Sequence, residues 1–109
     1  METSENINAT CPECRGPLTK LQDENVIEFR CLVGHLYSPA ALLQEHSQVQ
    51  ETALWAAVVA LEEATELVDQ TASQFAPEKA AQLKKQAVLK REQAQHVRTI
   101  LQELEPFCT

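Results

Sequence analysis

Four residues constrain this chain more than any others: Cys11-x2-Cys14-x16-Cys31-x3-His35, carried by the segments CPECRGPL and FRCLVGH. Two cysteines two residues apart form a turn of backbone that aims both sulfurs at one point, and a nearby glycine lets the chain pass close to a sulfur. Gly16 suits that role in the first turn and Gly34 in the second. Three thiolates and one imidazole complete a tetrahedron, the geometry zinc prefers, and leave no position open for water or substrate. The spacing predicts one structural Zn2+ per chain on Cys11, Cys14, Cys31 and His35. A segment this short buries too little surface to fold alone, whereas zinc in such sites contributes apparent binding energy on the order of 10 kcal/mol.

Competing chemistries fit less well. CPEC could be a redox Cys-x2-Cys pair, but such a motif opens a helix after a βαβ-type strand, and no such sheet is legible here. A catalytic Cys31–His35 dyad lacks a third orienting group and an oxyanion site. His46 and His96 lie in helical stretches with no second ligand in register. Glu92 and His96 are four apart, where a di-iron bundle needs Glu-x-x-His on paired helices. Cys108 falls beyond the last helix and reads as a free thiol.

The 109 residues suit one domain, or one small module on a longer element. The expected architecture is mainly α with a small β zinc ribbon: a disordered segment 1–9, a zinc ribbon 10–37, a long antiparallel helical hairpin 38–105 and a tail 106–109. In the ribbon, Leu18 to Gln22 and Val26 to Cys31 read as strands joined by a turn at Asp23-Glu24-Asn25, with Ile27 and Phe29 on one face. Ser38-Pro39 is a helix start, serine capping and proline tolerated in the first turn. The helix either continues or bends at Ser47. Beyond it Leu54, Val58, Leu61, Thr65, Val68, Ala72 and Phe75 recur at gaps of four and three, a packing seam. Ala76-Pro77 marks a turn. A second helix, about Glu78 to Leu104, repeats the pattern through Ala80, Leu83, Ala87, Lys90, Ala94, Val97, Leu101 and Leu104.

Charge supports that pairing. Glu45 to Asp69 holds six acids and no Lys or Arg, while the second helix holds Lys79, Lys84, Lys85, Lys90, Arg91 and Arg98. Folding one helix on the other brings opposite signs together, worth ~0–1 kcal/mol per exposed pair. The run ALWAAVVAL, Ala53 to Leu61, is apolar on every side of a helix, more than one partner helix covers. A homodimer forming a four-helix bundle, or a helical protein partner, is therefore expected. The same run is about half the length of a membrane span, and METSENINAT lacks the features of a secretory signal, so a reducing cytoplasm is expected, where cysteines serve metals. A net charge of −7 argues against nucleic acid or anionic membrane as partner.

CPECRGPL, FRCLVGHLYSPAALL and ALWAAVVALEE together resemble the zinc-ribbon and helix segment at the carboxyl end of some CheB-like chemotaxis methylesterase proteins, over roughly Thr10 to Phe75. The resemblance implies the metal site above, gives Tyr37, Ser38 and Trp55 to the fold signature, and suggests a signalling accessory. The methylesterase activity does not carry over: Ser4, Ser38, Ser47 and Ser73 are the only serines, and none sits in a glycine-flanked nucleophile turn. The expected function is a non-enzymatic, structural-zinc protein-interaction module without a small-molecule substrate, plausible in bacterial chemosensory signalling. The alternative is a redox- or zinc-responsive switch at the Cys3His site, and a less favoured one a nucleic-acid-binding ribbon.

Overall fold

A computed structural model describes residues 1–108; the final position of the expected tail, Thr109, lies outside them. Four strands, β1 (Glu2–Thr10), β2 (Pro17–Asp23), β3 (Val26–Cys31) and β4 (Leu36–Tyr37), precede two helices, α1 (Pro39–Thr71) and α2 (Pro77–Glu103). A short 3-10 turn, Ala72–Gln74, separates the helices. By their contacts the residues form two compact units, one of Met1–Val49 with the segment from Glu105, the other of Gln50–Leu104.

In the first unit every strand pairs antiparallel with its sequence neighbour, in the order β1-β2-β3-β4. Asp23 pairs with Val26, so Glu24 and Asn25 make the β2–β3 turn at the expected place, with Glu24 at a φ of 56°. The β1–β2 and β3–β4 turns consequently fall together at the opposite end of the sheet. Those two turns are the cysteine segments.

Of residues 1–9, expected to be disordered, all but Met1 lie in β1. Their composition is polar, but polarity does not prevent an edge strand whose backbone pairs on one side only. Thr3, Ser4 and Glu5 pair with Gln22, Leu21 and Lys20; Glu5 bridges Lys20 at 2.7 Å, and the Thr19 hydroxyl donates to Asn6 Oδ1 at 3.2 Å. Ile7 and Ala9 alternate inward and pack on the core of Cys11, Leu18, Cys31 and Tyr37, joined by Phe29 and Leu42.

Helix α1 begins as its sequence predicts, the Ser38 Oγ accepting from the Ala41 amide at 3.2 Å. It runs through Ser47 without a second start. The Ser47 hydroxyl donates to the Leu43 carbonyl at 3.1 Å and accepts from the Phe107 amide at 2.9 Å. Phe107 also lies with its ring centroid 6.4 Å from that of His46, so the tail is held against α1 at this residue.

In the second unit the seam positions are the covered ones. Val58, Ala87 and Ala94 are buried, and Leu54, Leu61, Thr65, Val68, Leu83, Val97 and Leu101 are half-buried. Lys90 departs from the seam and is exposed, its long stem carrying the ammonium out to water. Phe75 is exposed as well. Contact across the helices runs through Arg98, which binds Glu62 at 2.7 Å and lies 5.5 Å from the centre of the Trp55 ring. The broader charge pairing expected between the helices is not made: among the described residues this is the one ion pair in the unit. No described helix is long and apolar enough to cross a membrane.

Candidate metal centre

The pairing register builds the site. Thr10 opposite Pro17 closes the first cysteine turn, and Phe29 opposite Tyr37 closes the second. Leu18 opposite Cys31 ties the two turns side by side. Each turn folds back through its own backbone. The Cys11 amide donates to the Gly16 carbonyl at 2.7 Å and the Arg15 amide to the Cys11 carbonyl at 2.8 Å; in the second turn the Cys31 amide donates to the His35 carbonyl and the Gly34 amide to the Cys31 carbonyl, both at 3.1 Å.

The two glycines differ. A Cβ on Gly16 would stand 3.4 Å from Cys14 Sγ, an ordinary contact distance, so the chain passes beside the sulfur here without the passage requiring glycine. Gly34 has open space around it and a φ of 108°. Its role is backbone conformation, which a side chain would strain.

The structure brings all four predicted residues together. One ligand atom each from Cys11, Cys14, Cys31 and His35 lie within 4.8 Å of one another. A tetrahedron with metal–sulfur bonds of ~2.3 Å has edges of about 3.8 Å, so the donors stand within roughly an ångström of holding a metal ion. Cys11 and Cys31 are buried, and Cys14 is the most accessible of the three. His35 turns Nδ1 toward the sulfurs, 3.3 Å from Cys31 and 3.5 Å from Cys11. Cys108 is exposed and, with His46, His96 and Glu92, belongs to no cluster of metal-ligating groups among the described residues.

Two supporting contacts were not legible as such. Glu13, inside the CPEC turn, sets its carboxylate 3.0 Å from His35 Nε2, which fixes Nε2 as the protonated nitrogen and frees the Nδ1 lone pair for an ion. The Tyr37 hydroxyl lies 3.2 Å from Cys11 Sγ and donates to it once the sulfur is a thiolate. The His35 amide donates to Cys31 Sγ at 3.3 Å. Residue spacing carries no sign of either side-chain contact, because both depend on how the two turns are juxtaposed.

Electrostatics follow these contacts. Burial pushes the Cys11 thiol up, but the Tyr37 hydroxyl, hydrogen bonds with the Cys14 and Glu13 backbone and the Cys14 thiol outweigh it and lower it to about 6. Burial likewise opposes the Cys31 thiolate, and the backbone of His35, with the Cys14 thiol and the backbone of Gly34 and Val33, reverses the balance and lowers it. Hydrogen bonds with Cys11 and Cys31 raise His35 against its burial, helped by the charge of Glu13. For Cys14 the Gly16 backbone favours the thiolate, yet burial and the neighbouring Cys31 and Cys11 together raise it. These contacts favour the thiolate at Cys11 and Cys31 and the protonated form at His35 and Cys14, and a bound cation would displace the competing protons.

Glu13→Gln keeps the size of the side chain and removes its charge. The expected result is metal affinity weakened roughly three- to tenfold, at the lower end of effects for such outer contacts because Glu13 is exposed, with the fold intact when metal is saturating. Competition against a chromophoric chelator measures it, and unchanged affinity would show that Glu13 does not orient the ring. Comparison of the chain with protein-family models, with curated proteins and with solved structures finds no match in any of the three.

Proposed function

We propose that this chain is a non-enzymatic zinc-ribbon module in which one structural Zn2+ on Cys11, Cys14, Cys31 and His35 holds the sheet, and an antiparallel helical hairpin recognises another protein. The observation that carries the reading is the convergence of three sulfurs and one ring nitrogen within 4.8 Å. Soft thiolates with one imidazole in a tetrahedral set favour zinc over harder, oxygen-seeking cations. Four protein ligands fill the coordination shell, so the site is structural. The interaction role is supported by the second unit, whose helices leave Val59, Leu67, Val88 and Leu89 exposed. The partner is a second copy or a helical protein, in a cytoplasmic setting. The resemblance to CheB-like proteins makes bacterial chemosensory machinery the first place to seek a heterologous one.

The test is loading and spectroscopy. The purified chain is expected to bind one zinc, and cobalt substituted for it should show thiolate-to-metal absorption together with the visible bands of a tetrahedral site. Octahedral cobalt without sulfur bands would defeat the reading. A redox-responsive switch is the second reading, favoured by the accessibility of Cys14 beside two buried thiols. Metal retained through mild peroxide, with Cys14 unmodified, would remove it.

A further inference from the structure

One flank of the helical unit is divided by charge. At about 100° per residue, Trp55, Val59, Glu62, Glu66 and Asp69 fall on the same side of the buried Val58 along α1. On α2, Lys84, Val88, Arg91 and Arg98 fall on one side of the buried Ala87 and Ala94. Arg98 shows that these are the same flank of the pair, because it reaches Glu62 at 2.7 Å and lies over Trp55 at 5.5 Å. The flank is acidic along α1 and basic along α2, and beside the charges it carries exposed apolar side chains, Trp55 at 44%, Val59 at 52% and Val88 at 58%. Its charges are mostly unspent: Glu66, Asp69, Lys84 and Arg91 have no ion-pair partner among the described residues.

We infer that this flank binds a second copy of the chain, an inference that rests on the interaction role proposed above and names its partner. A surface acidic on one half and basic on the other is complementary to itself under a twofold rotation. With the axis parallel to the helices, α1 of each copy faces α2 of the other, antiparallel, as in a four-helix bundle. Heights along the helices are preserved by such a rotation. Arg98 reaches both Trp55 and Glu62, which sets its level between these two residues of α1. Counting from these pairs toward the turn puts Asp69 within about one helical turn of Lys84, and Glu62 within one of Arg91. The rotation therefore sets acid on base twice over and covers Trp55, Val59 and Val88 between the copies. A foreign partner would have to reproduce the same split of charge at the same spacing.

Analytical ultracentrifugation of the zinc-loaded full chain, over a range of micromolar concentrations, tests this together with Trp55 emission. The expected result is a reversible dimer whose emission shifts to the blue as it forms. Lys84→Glu turns two attractive pairs of the dimer into repulsive ones and should weaken association about tenfold. Asp69→Lys should do the same. The double variant, with the charges exchanged, should recover most of the loss, which a merely damaged helix would not. A monomer at every concentration overturns the inference, and so does a dimer indifferent to both reversals. A zinc-loaded monomer that is captured by another helical protein overturns the second copy as partner while leaving the interaction role standing. Zinc content, measured on the same samples, separates failure here from failure of the metal centre.

Discussion

Removal of the metal is expected to unfold the sheet of residues 2–37 while most of the helical circular-dichroism signal persists. The sheet unit has a core of four buried apolar residues, Cys11, Leu18, Cys31 and Tyr37, and two of these are candidate ligands. Burying one such side chain is worth about 1.5–3 kcal/mol, whereas apparent zinc binding in small sites is about 10–16 kcal/mol. Leu18 and Tyr37, the two that are not candidate ligands, supply about 3–6 kcal/mol between them, less than a bound ion would. Its removal also leaves three thiols and an imidazole confined within 4.8 Å, an arrangement in which thiolates repel. Cys31→Ser should act like metal removal because Cys31 is both ligand and core. Hydrogen exchange of the β2 and β3 amides is the direct measurement: strand amides that stay protected in the metal-free chain would show that the sheet stands without an ion.

Leu18→Ala is expected to destabilise the metal-loaded sheet by about 2–5 kcal/mol. Leu18 is fully buried, lies opposite Cys31 in the β2–β3 register and packs where the two cysteine turns meet. A core this small has few other side chains with which to fill the space. Because metal binding and folding are linked, the loss should also appear as metal affinity: about 3 kcal/mol corresponds to roughly two decades, although Leu18 donates nothing to an ion. Thermal melting and chelator competition should therefore change in step. A large fall in melting temperature at constant affinity would mean that the ligands are organised independently of the sheet.

What the sequence made legible was what local spacing encodes. The two turns, the β2 and β3 strands, the Ser38 cap and the seam through Val58, Ala87 and Ala94 each depend on residues within a few positions of one another. The polar strand β1 escaped because its pairing is made by backbone, and only the alternation of Ile7 and Ala9 hints at it. Glu13 beside His35 and Tyr37 beside Cys11 escaped for a different reason. Each contact joins separate turns, and its partner is chosen by the register of the intervening strands. The tail is a third case, since Ser47 had the chemistry of a helix cap but is engaged by Phe107, which is 60 positions away. Charge patterning overstated the pairing within the chain: of the opposite signs on α1 and α2, Glu62 with Arg98 is the pair that forms.

The order of the sheet bears on how the protein is made. Each strand pairs with the strand just before or after it, so the sheet closes by local steps with little loop entropy to overcome. All four candidate ligands precede α1, and a ribosome adds roughly 5–20 residues per second. Cys11 through His35 consequently leave the exit tunnel several seconds ahead of the end of α2. The candidate ligand set is complete while the helices are still being translated, so any ion it takes can bind during synthesis.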